Sequence, residues 1–416
     1  GQRFMRPQVR FPSVLRHRDF RRFFIGQSAS MLGDQFSDIA IPLAAILLLG
    51  AGSVELGLLT ALGLVPSIFL SLPAGSLIDR TGKRREWMLT ADAARALAIL
   101  SLPLAFFLGA LNLMHFYFVA LIVGAFDVIF FVAYQPLLVS MVRGRDYLAA
   151  NSLLSGSRAI SQVVGLSAGG ALVAALTAPV ALLINAFSFV LSGVQLARIR
   201  PVEAPPAGTD ESRLRAGLHW ILGNQVVKWL LLSSAVVNLF AYMGTAILIL
   251  YATRTLGLGP ALIGAVFGFG ALGGVAGAAT FGMMQKRLGL GLSAAAGALT
   301  LAGGLAVYPM ALGGQHQAAG IMLIGALVST VGIVWADIAL GAVLAQEVPD
   351  ALRARVGGAY RTINYGVRPV GAVLGGLLGA ATDLRATLAL SALGAISGAA
   401  LRLRKPIRHL KLADPT

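Results

Sequence analysis

Gly75-Ser-Leu-Ile-Asp79-Arg80-Thr-Gly82-Lys83-Arg84 has a counterpart 207 residues later, Gly282-Met-Met-Gln-Lys286-Arg287-Leu-Gly289. Each stretch closes an apolar run. A second pair, Gly165-Leu-Ser-Ala-Gly169-Gly170 and Gly371-Ala-Val-Leu-Gly375-Gly376, is separated by 206 residues. Two independent matches at nearly one offset, in the same order, indicate two like units joined head to tail.

What the units are made of follows from composition. The 416 residues are 57% hydrophobic and only 12% charged, against about a quarter charged in soluble domains. Mean hydropathy is +0.80. Such a chain cannot build a polar exterior, and lipid is the solvent that suits it. The 50 glycines fit, since small residues let membrane helices approach closely. There is no cysteine, hence no disulfide, thiolate metal site or cysteine nucleophile. The five histidines (His17, His115, His219, His316, His409) are scattered, and we expect neither a metal site nor a cofactor.

Crossing about 30 Å of hydrocarbon takes roughly 20 residues. Runs of that kind fall at 23–50, 55–78, 87–110, 114–142, 148–176, 178–198, 229–253, 260–284, 288–313, 317–345, 355–381 and 384–401. The first is too long for the apolar core of a signal peptide. The expected fold is therefore an all-α membrane protein: twelve transmembrane helices in two pseudo-symmetric six-helix bundles, 23–200 and 229–401. Segment 1–22 precedes them and a tail, 402–416, follows. The link 201–228, with Pro201, Pro205, Pro206 and Gly208, holds an amphipathic stretch, Leu214–Val227, expected at the membrane interface.

The net charge of +16 would suggest nucleic acid in a soluble protein. Here its placement argues otherwise. Arg3, Arg6, Arg10, Arg16, Arg18, Arg21 and Arg22 precede the first run, and Arg80, Lys83, Arg84 and Arg85 follow the second. Arg143 and Arg145 follow the fourth; Arg198, Arg200, Arg213, Arg215 and Lys228 follow the sixth. Lys286 and Arg287 follow the eighth, Arg353 and Arg355 the tenth, and Arg402, Arg404, Lys405, Arg408 and Lys411 the last. Alternate links hold only Arg254 and Arg385. By the positive-inside rule both termini are expected in the cytoplasm.

With Gly75, Leu77, Asp79, Arg80, Gly82, Lys83 and Arg84 between its second and third runs, the chain resembles the major facilitator superfamily, whose signature loop lies there. Asp19-Phe20-Arg21-Arg22, Gly33-Asp34, Asp92 with Arg95, and Asn185-Ala-Phe-Ser-Phe189 narrow the resemblance to the macrolide-efflux and enterobactin-exporter branch. That resemblance covers essentially the whole chain. It implies paired bundles with a site between them at mid-membrane, the signature loop acting as a gate latch, and export of drugs, macrolides or siderophores in exchange for protons. One departure stands out: Leu166 occupies the place where many antiporters have proline.

A charge at the bilayer centre costs about 2.5–3.5 kcal/mol on insertion scales, so each needs a partner, a cavity or a task. Asp34 and Asp38 share one face of the first run, Asp127 lies mid-way along the fourth and Arg158 along the fifth. Asp337, Arg361 and Arg368 are the second-half charges. Asp92 with Arg95 suits a gate-associated ion pair near the signature loop. Three acids (Asp34, Asp38, Asp127) against Arg158 leave carboxylates to spare, and these are the expected proton and cation site, with Arg158 as competing counter-charge and Asp337 as a second-half participant. Gly33 is expected to let backbone and solvent approach Asp34. Tyr134, Gln135, Trp335, Arg361 and Arg368 are candidates for the substrate cavity, with Phe130 and Phe131 nearby.

No phosphate-binding Gly-x-x-x-x-Gly-Lys-Ser/Thr occurs, and no His-Glu-x-x-His. The chain is thus expected to be no enzyme but a carrier driven by an ion gradient. Its expected partners are a small-molecule substrate, protons and membrane lipid, without nucleic acid. A monomer suffices, since one chain holds both halves. A lipid or lysophospholipid carrier of the same fold is the alternative; a channel fits the duplication less well. The expected location is a bacterial-type inner membrane.

Overall fold

The computed structural model describes residues 13–142, 144–200 and 213–410. Arg3, Arg6, Arg10, Arg143, Lys411 and the Pro-rich stretch 201–212 lie outside the described residues. The first unit consists of α1 (Arg18–Leu49), α2 (Ser53–Thr81), α3 (Arg84–Phe107), α4 (Leu113–Met141), α5 (Gly144–Leu176) and α6 (Ala178–Ala197). A short α7 (Arg213–Gly223) leads to α8 (Gln225–Leu250), α9 (Pro260–Gly270), α10 (Leu272–Leu288), α11 (Leu290–Val307), α12 (Gln315–Glu347), α13 (Arg353–Ala381) and α14 (Leu384–Ala400), with a last turn α15 (Lys405–Arg408).

The helices end where local chemistry stops them. Gly50 and Gly82 take φ of +66° and +65° at the ends of α1 and α2, a left-handed conformation that glycine adopts without strain. Side chains of Asn112, Asn224 and Asp383 accept from the N–H groups of His115, Val227 and Ala386 at 3.0, 2.9 and 2.8 Å, satisfying donors that have no partner within the helix. Thr177 alone separates α5 from α6, and it is the one non-glycine with positive φ among the described residues.

Among the described residues, eleven helical segments are long and apolar enough to cross a membrane, with α9 and α10 making one kinked span. The twelfth is α13. Its 29 residues suffice in length, but Arg353, Arg355, Arg361 and Arg368 lower its hydropathy. The fold is all-α, and the chain a multi-pass membrane protein.

Packing repeats with the sequence. In the first half α1 lies against α5 and α6, and α3 against α4 and α6; in the second α8 lies against α13 and α14, and α11 against α12 and α14. The repeated glycines sit at equivalent contacts. A methyl group built on Gly165 would meet the Leu32 carbonyl, and one on Gly371 the Leu239 carbonyl. Gly169 and Gly375 abut Phe36 and Met243 in the same way. The third glycine of each set reaches the other half: Gly170 would bring a Cβ within 2.6 Å of Gly264 Cα, and Gly376 within 2.7 Å of the Ser53 carbonyl oxygen and 3.2 Å of Gly57 Cα. Leu32 and Leu239, Phe36 and Met243, and Gly57 and Gly264 are all 207 residues apart. The halves are thus joined along two equivalent seams, α5–α9 and α2–α13.

Both seams lie at the end opposite the termini. A hydrophobic core there draws residues from both halves, including Leu43, Leu56 and Phe189 from the first and Tyr251, Ile263 and Met322 from the second. Toward the termini each core belongs to one half: Phe20, Phe23, Met88 and Leu137 in one, Ile221, Val356 and Tyr360 in the other. The molecule is therefore sealed at one end and cleft at the other. Arg254, one of the two arginines outside the charge alternation, bonds the Gly50 carbonyl across the seal at 2.8 Å. The other, Arg385, donates to the Ala311 carbonyl at 3.0 Å within its own half.

Two expectations change. The stretch Leu214–Val227 does not form one interfacial helix: α7 ends at Gly223 and packs on α13, with Ile221 fully buried and Gly217 against the Arg355 carbonyl. Arg402, placed by sequence in the tail, is 3% exposed. It donates to Ser233 Oγ, Ser234 Oγ and the Ala294 carbonyl at 3.0, 2.9 and 3.0 Å, which is why its burial is tolerable.

A bulky side chain at a seam has no space to occupy. Gly170→Leu is expected to raise, several-fold, the labelling of a Ser53→Cys reporter by an impermeant maleimide added from the sealed side. The chain's lack of native cysteine makes that readout clean.

Candidate functional site

The charges of the first half gather around one arginine. Arg95 on α3 is 3% exposed. Its Nη2 reaches Asp92 at 2.5 Å and its Nη1 reaches Asp127 on α4 at 2.7 Å. Phe130 and Phe189 cover it, 4.3 and 4.4 Å from ring centre to guanidinium carbon. The second oxygen of Asp92 accepts from Ser192 Oγ on α6 at 2.7 Å. One cation therefore ties α3, α4 and α6 together. Asp92 is 1% exposed and Asp127 50%, so the second acid keeps one face open.

This corrects the expected pairing. Arg95 is not the private partner of Asp92 but bridges two acids, and Asp127 is held by Arg95 rather than opposed by Arg158. Sequence counting missed it because Arg95 and Asp127 are 32 residues apart and meet only through the α3–α4 packing.

Asp34 is placed differently. With Met31, Gln35, Arg158 and Gln162 it lines a cavity of about 260 Å³ between α1 and α5. Among the described residues no cation stands within ion-pair distance of it. Asp38, one turn on, is exposed and accepts from Gln35 Nε2 at 3.1 Å. Asp127, Asp92, Asp38 and Arg95 all act electrostatically on Asp34, so these residues form one charge cluster. Gly33 does not open Asp34 to solvent as expected. It is buried and faces α6, where a Cβ would come within 2.5 Å of Asn185 Oδ1. Asn185 itself donates to Ser37 at 2.5 Å and accepts from Ser188 at 3.0 Å.

Of the expected cavity residues, Tyr134 is 5% exposed and packs against Phe23 and Phe130 in the first-half core. Trp335 donates to the Gly277 carbonyl at 3.0 Å and to Thr280 Oγ1 at 3.2 Å, tying α12 to α10. Tyr134 is therefore core rather than the expected cavity lining, while Trp335 is half-buried. Gln135 is exposed and accepts from Tyr147 at 3.3 Å, while Phe131 is 54% exposed. In the second half Arg361 and Asp337 are exposed. Arg368 donates to Asn238 Oδ1 at 2.9 Å and to Tyr242 OH at 3.2 Å, and stacks on Tyr365 at 3.9 Å.

In the signature loop, Gly82 makes the turn and Asp79 faces Arg84 at 3.7 Å. Lys83 pairs with Glu86 at 3.1 Å, and Arg80 is exposed. Arg85 caps α6 through the Leu196 and Ala197 carbonyls at 3.0 and 2.8 Å. Gly75 makes no close approach here, since an added Cβ would meet only Val132 at 3.8 Å. The loop thus bonds within its own half while the cleft on that side is open.

Twin bundles sealed at one end, with acids and arginines around an interior cleft, define a secondary transporter of small molecules rather than an enzyme. The chain belongs to the Major Facilitator Superfamily, whose family model matches residues 23–372. It is similar to the multidrug efflux pump Tap of Mycobacterium tuberculosis, 26% identical over 399 residues that cover 92% of each chain. Its fold is similar to that of a bacterial homologue of the iron transporter ferroportin. In the inward-facing state of that protein the TM-score is 0.77, at 18% identity over 94% of this chain and 98% of that one. In the outward-facing state it is 0.61, at 17% identity over 92% and 98%.

Removing one partner of a buried ion pair costs about 3–5 kcal/mol. Arg95→Met strands Asp92 and is expected to lower the thermal unfolding midpoint sharply in detergent. Adding Asp92→Leu removes the stranded charge and should recover much of the loss.

Proposed function

We propose that this chain exports a small amphiphilic molecule in exchange for protons, by opening its cleft alternately to the two sides of a bacterial plasma membrane. The observation that carries the reading is Asp34, a carboxylate deep in an apolar bundle that lines a cavity and has no cation at ion-pair distance among the described residues. Intramembrane acids of this kind are where proton relays are built. The name of the Tap relative supports multidrug export.

In this reading Asp34 loads and releases the proton, and Asp38 and Asp127 add negative charge for a cationic cargo group. Arg95 holds Asp127 in position through the Asp92 pair, and Arg158 competes as a counter-charge in the Asp34 cavity. Asp337 plays the corresponding part in the second half. The basic alternation of the links supports a cytoplasmic side for both termini and for the open cleft. The signature residues Gly75, Asp79, Arg80, Gly82, Lys83 and Arg84 act as the latch: Asp79 exchanges Arg84 for the positive N-terminus of a helix in the other half when the cleft closes. A monomer carries out the cycle.

A second reading has an observation of its own. A groove of about 650 Å³ between α1 and α5 is lined by Phe24, Leu32, Leu153, Ile160 and Val164, with serines along it. Such a lining suits an acyl chain, and with it a lipid or lysophospholipid cargo.

Proteoliposomes given a pH jump test both readings. Wild-type protein should drive uptake of a cationic dye against its gradient. Asp34→Asn should reduce this to the level of empty liposomes while keeping dye exchange without a gradient, and Asp127→Asn should lose part of the flux. Full proton-driven flux in both variants would falsify the assignment. Competition by lysophospholipid but not by dyes would favour the second reading.

A further inference from the structure

The repeat offset maps the Asp34 cavity onto the other half. Helix α1 maps to α8 at 207 residues and α5 to α13 at 206, as the paired glycine contacts show. Met31 then corresponds to Asn238, Gln35 to Tyr242, Arg158 to Asn364 and Gln162 to Arg368. Four of the five residues lining the first-half cavity thus have as counterparts the residues that bond into one network in the second half. Asp34 itself corresponds to Ala241. Equivalent positions of a parallel repeat lie at equal depth on either side of its axis. The two polar sites therefore face the same level of the cleft, with Asp34 and Arg158 in one and Arg368 as the only charge of the other's network among the described residues.

The Arg368 site is built. Asn238 donates its Nδ2 to the Ser234 carbonyl and to Asn364 Oδ1, both at 3.0 Å, which fixes its Oδ1 to receive Arg368 Nε at 2.9 Å. Tyr242 takes one Nη1 hydrogen at 3.2 Å, and Tyr365 supports the guanidinium plane from below. All four neighbours are neutral. No carboxylate lies within ion-pair distance of Arg368 among the described residues; Asp337 senses its charge from farther away. Nη2 makes no hydrogen bond among the described residues. Four residues on, Ala372 is fully buried against Ala61 of the other half. Arg368 shares that helix face and so sits one turn below the seal, where the halves part, held against α8 by Asn238 and Tyr242.

We infer that Arg368 is the anion-recognising element of the cargo site, and that the cargo is an amphiphile bearing both a cationic group and a carboxylate or similar anionic group. This rests on the cleft being the cargo site proposed above. The cationic group sits toward Asp34 and Asp127, and the anion bonds Arg368 Nη2 with the guanidinium held planar by Asn238, Tyr242 and Tyr365. Arginine suits this better than lysine because its fork matches a carboxylate's two oxygens.

The probes are a rhodamine methyl ester, a cation, and the corresponding free acid, which adds a carboxylate. Their binding to the full chain in nanodiscs, with no pH gradient, is read by fluorescence anisotropy. Wild-type protein should prefer the acid. Arg368→Gln should weaken the acid about tenfold, the scale of one hydrogen bond to a charged group, and leave the ester within about twofold. Arg368→Lys should fall between. Tyr365→Leu should show the same selective loss, and it serves if Arg368→Gln does not fold. Equal losses for both dyes, no preference for the acid in the wild type, or a selective loss in Arg158→Gln instead would overturn the inference. Coupling is read separately: a chain that prefers the acid but moves neither dye on a pH jump keeps the anion site and loses the exporter reading.

Discussion

Backbone-to-backbone contact at glycine is the constraint on which the rest of this molecule depends. Lipid tails are as apolar as leucine side chains, so no hydrophobic gain draws helices together inside a bilayer. Close packing of small residues has to do it instead. Here the same glycine triplet is used twice. Its first two members press α5 onto α1 and α13 onto α8; its third joins α5 to α9 and α13 to α2. Within each half and between halves, one short motif sets both distances. Because the third glycine lies at the sealed end only, the halves are joined there and parted elsewhere.

Against that apolar frame, every buried charge has to be answered by local bonding. Arg95 is answered by two carboxylates and two aromatic rings, Arg402 by two hydroxyls and a carbonyl, and Arg385 by a carbonyl at a helix end. The partners of Arg402 are all neutral, so its charge stays uncompensated within hydrogen-bond reach, yet its position is fixed. Asp34 and Arg368 contrast with these. Among the described residues one lacks a cation and the other an anion at ion-pair distance, and Asp34 lines a cavity. Groups left without opposite charge where water and cargo have access are the ones a transport cycle can use.

Much of this architecture was legible in the residues. Apolar run lengths gave the helices, because a bilayer sets a minimum length that composition alone reveals. The glycine triplets gave the duplication, since close contact tolerates no other side chain. Pairings across helices were not legible. Arg95 with Asp127 requires knowing which faces of α3 and α4 meet, and long apolar helices carry little periodicity to say so. Gly33 beside Asp34 suggested an opening, but neighbours in sequence point about 100° apart on a helix, and the glycine faces α6. Arg402 looked like tail because it follows an apolar run among other basic residues. The hydroxyls of Ser233 and Ser234, some 170 residues earlier, and the Ala294 carbonyl draw it inward. α13 was the span that hydropathy understated, because four arginines on a 29-residue helix lower its mean.

Duplication also explains how one chain can hold two unlike charges at one depth. The two copies share the packing glycines, where a Cβ would strike the neighbouring backbone, and differ at residues of the polar sites. Asp34 against Ala241 and Gln162 against Arg368 are such differences, and Leu32 against Leu239 beside the glycines is a position where the copies agree. With Asp34 and Arg158 on one wall and Arg368 on the other, the duplicated frame carries an unequal charge pattern on its two halves.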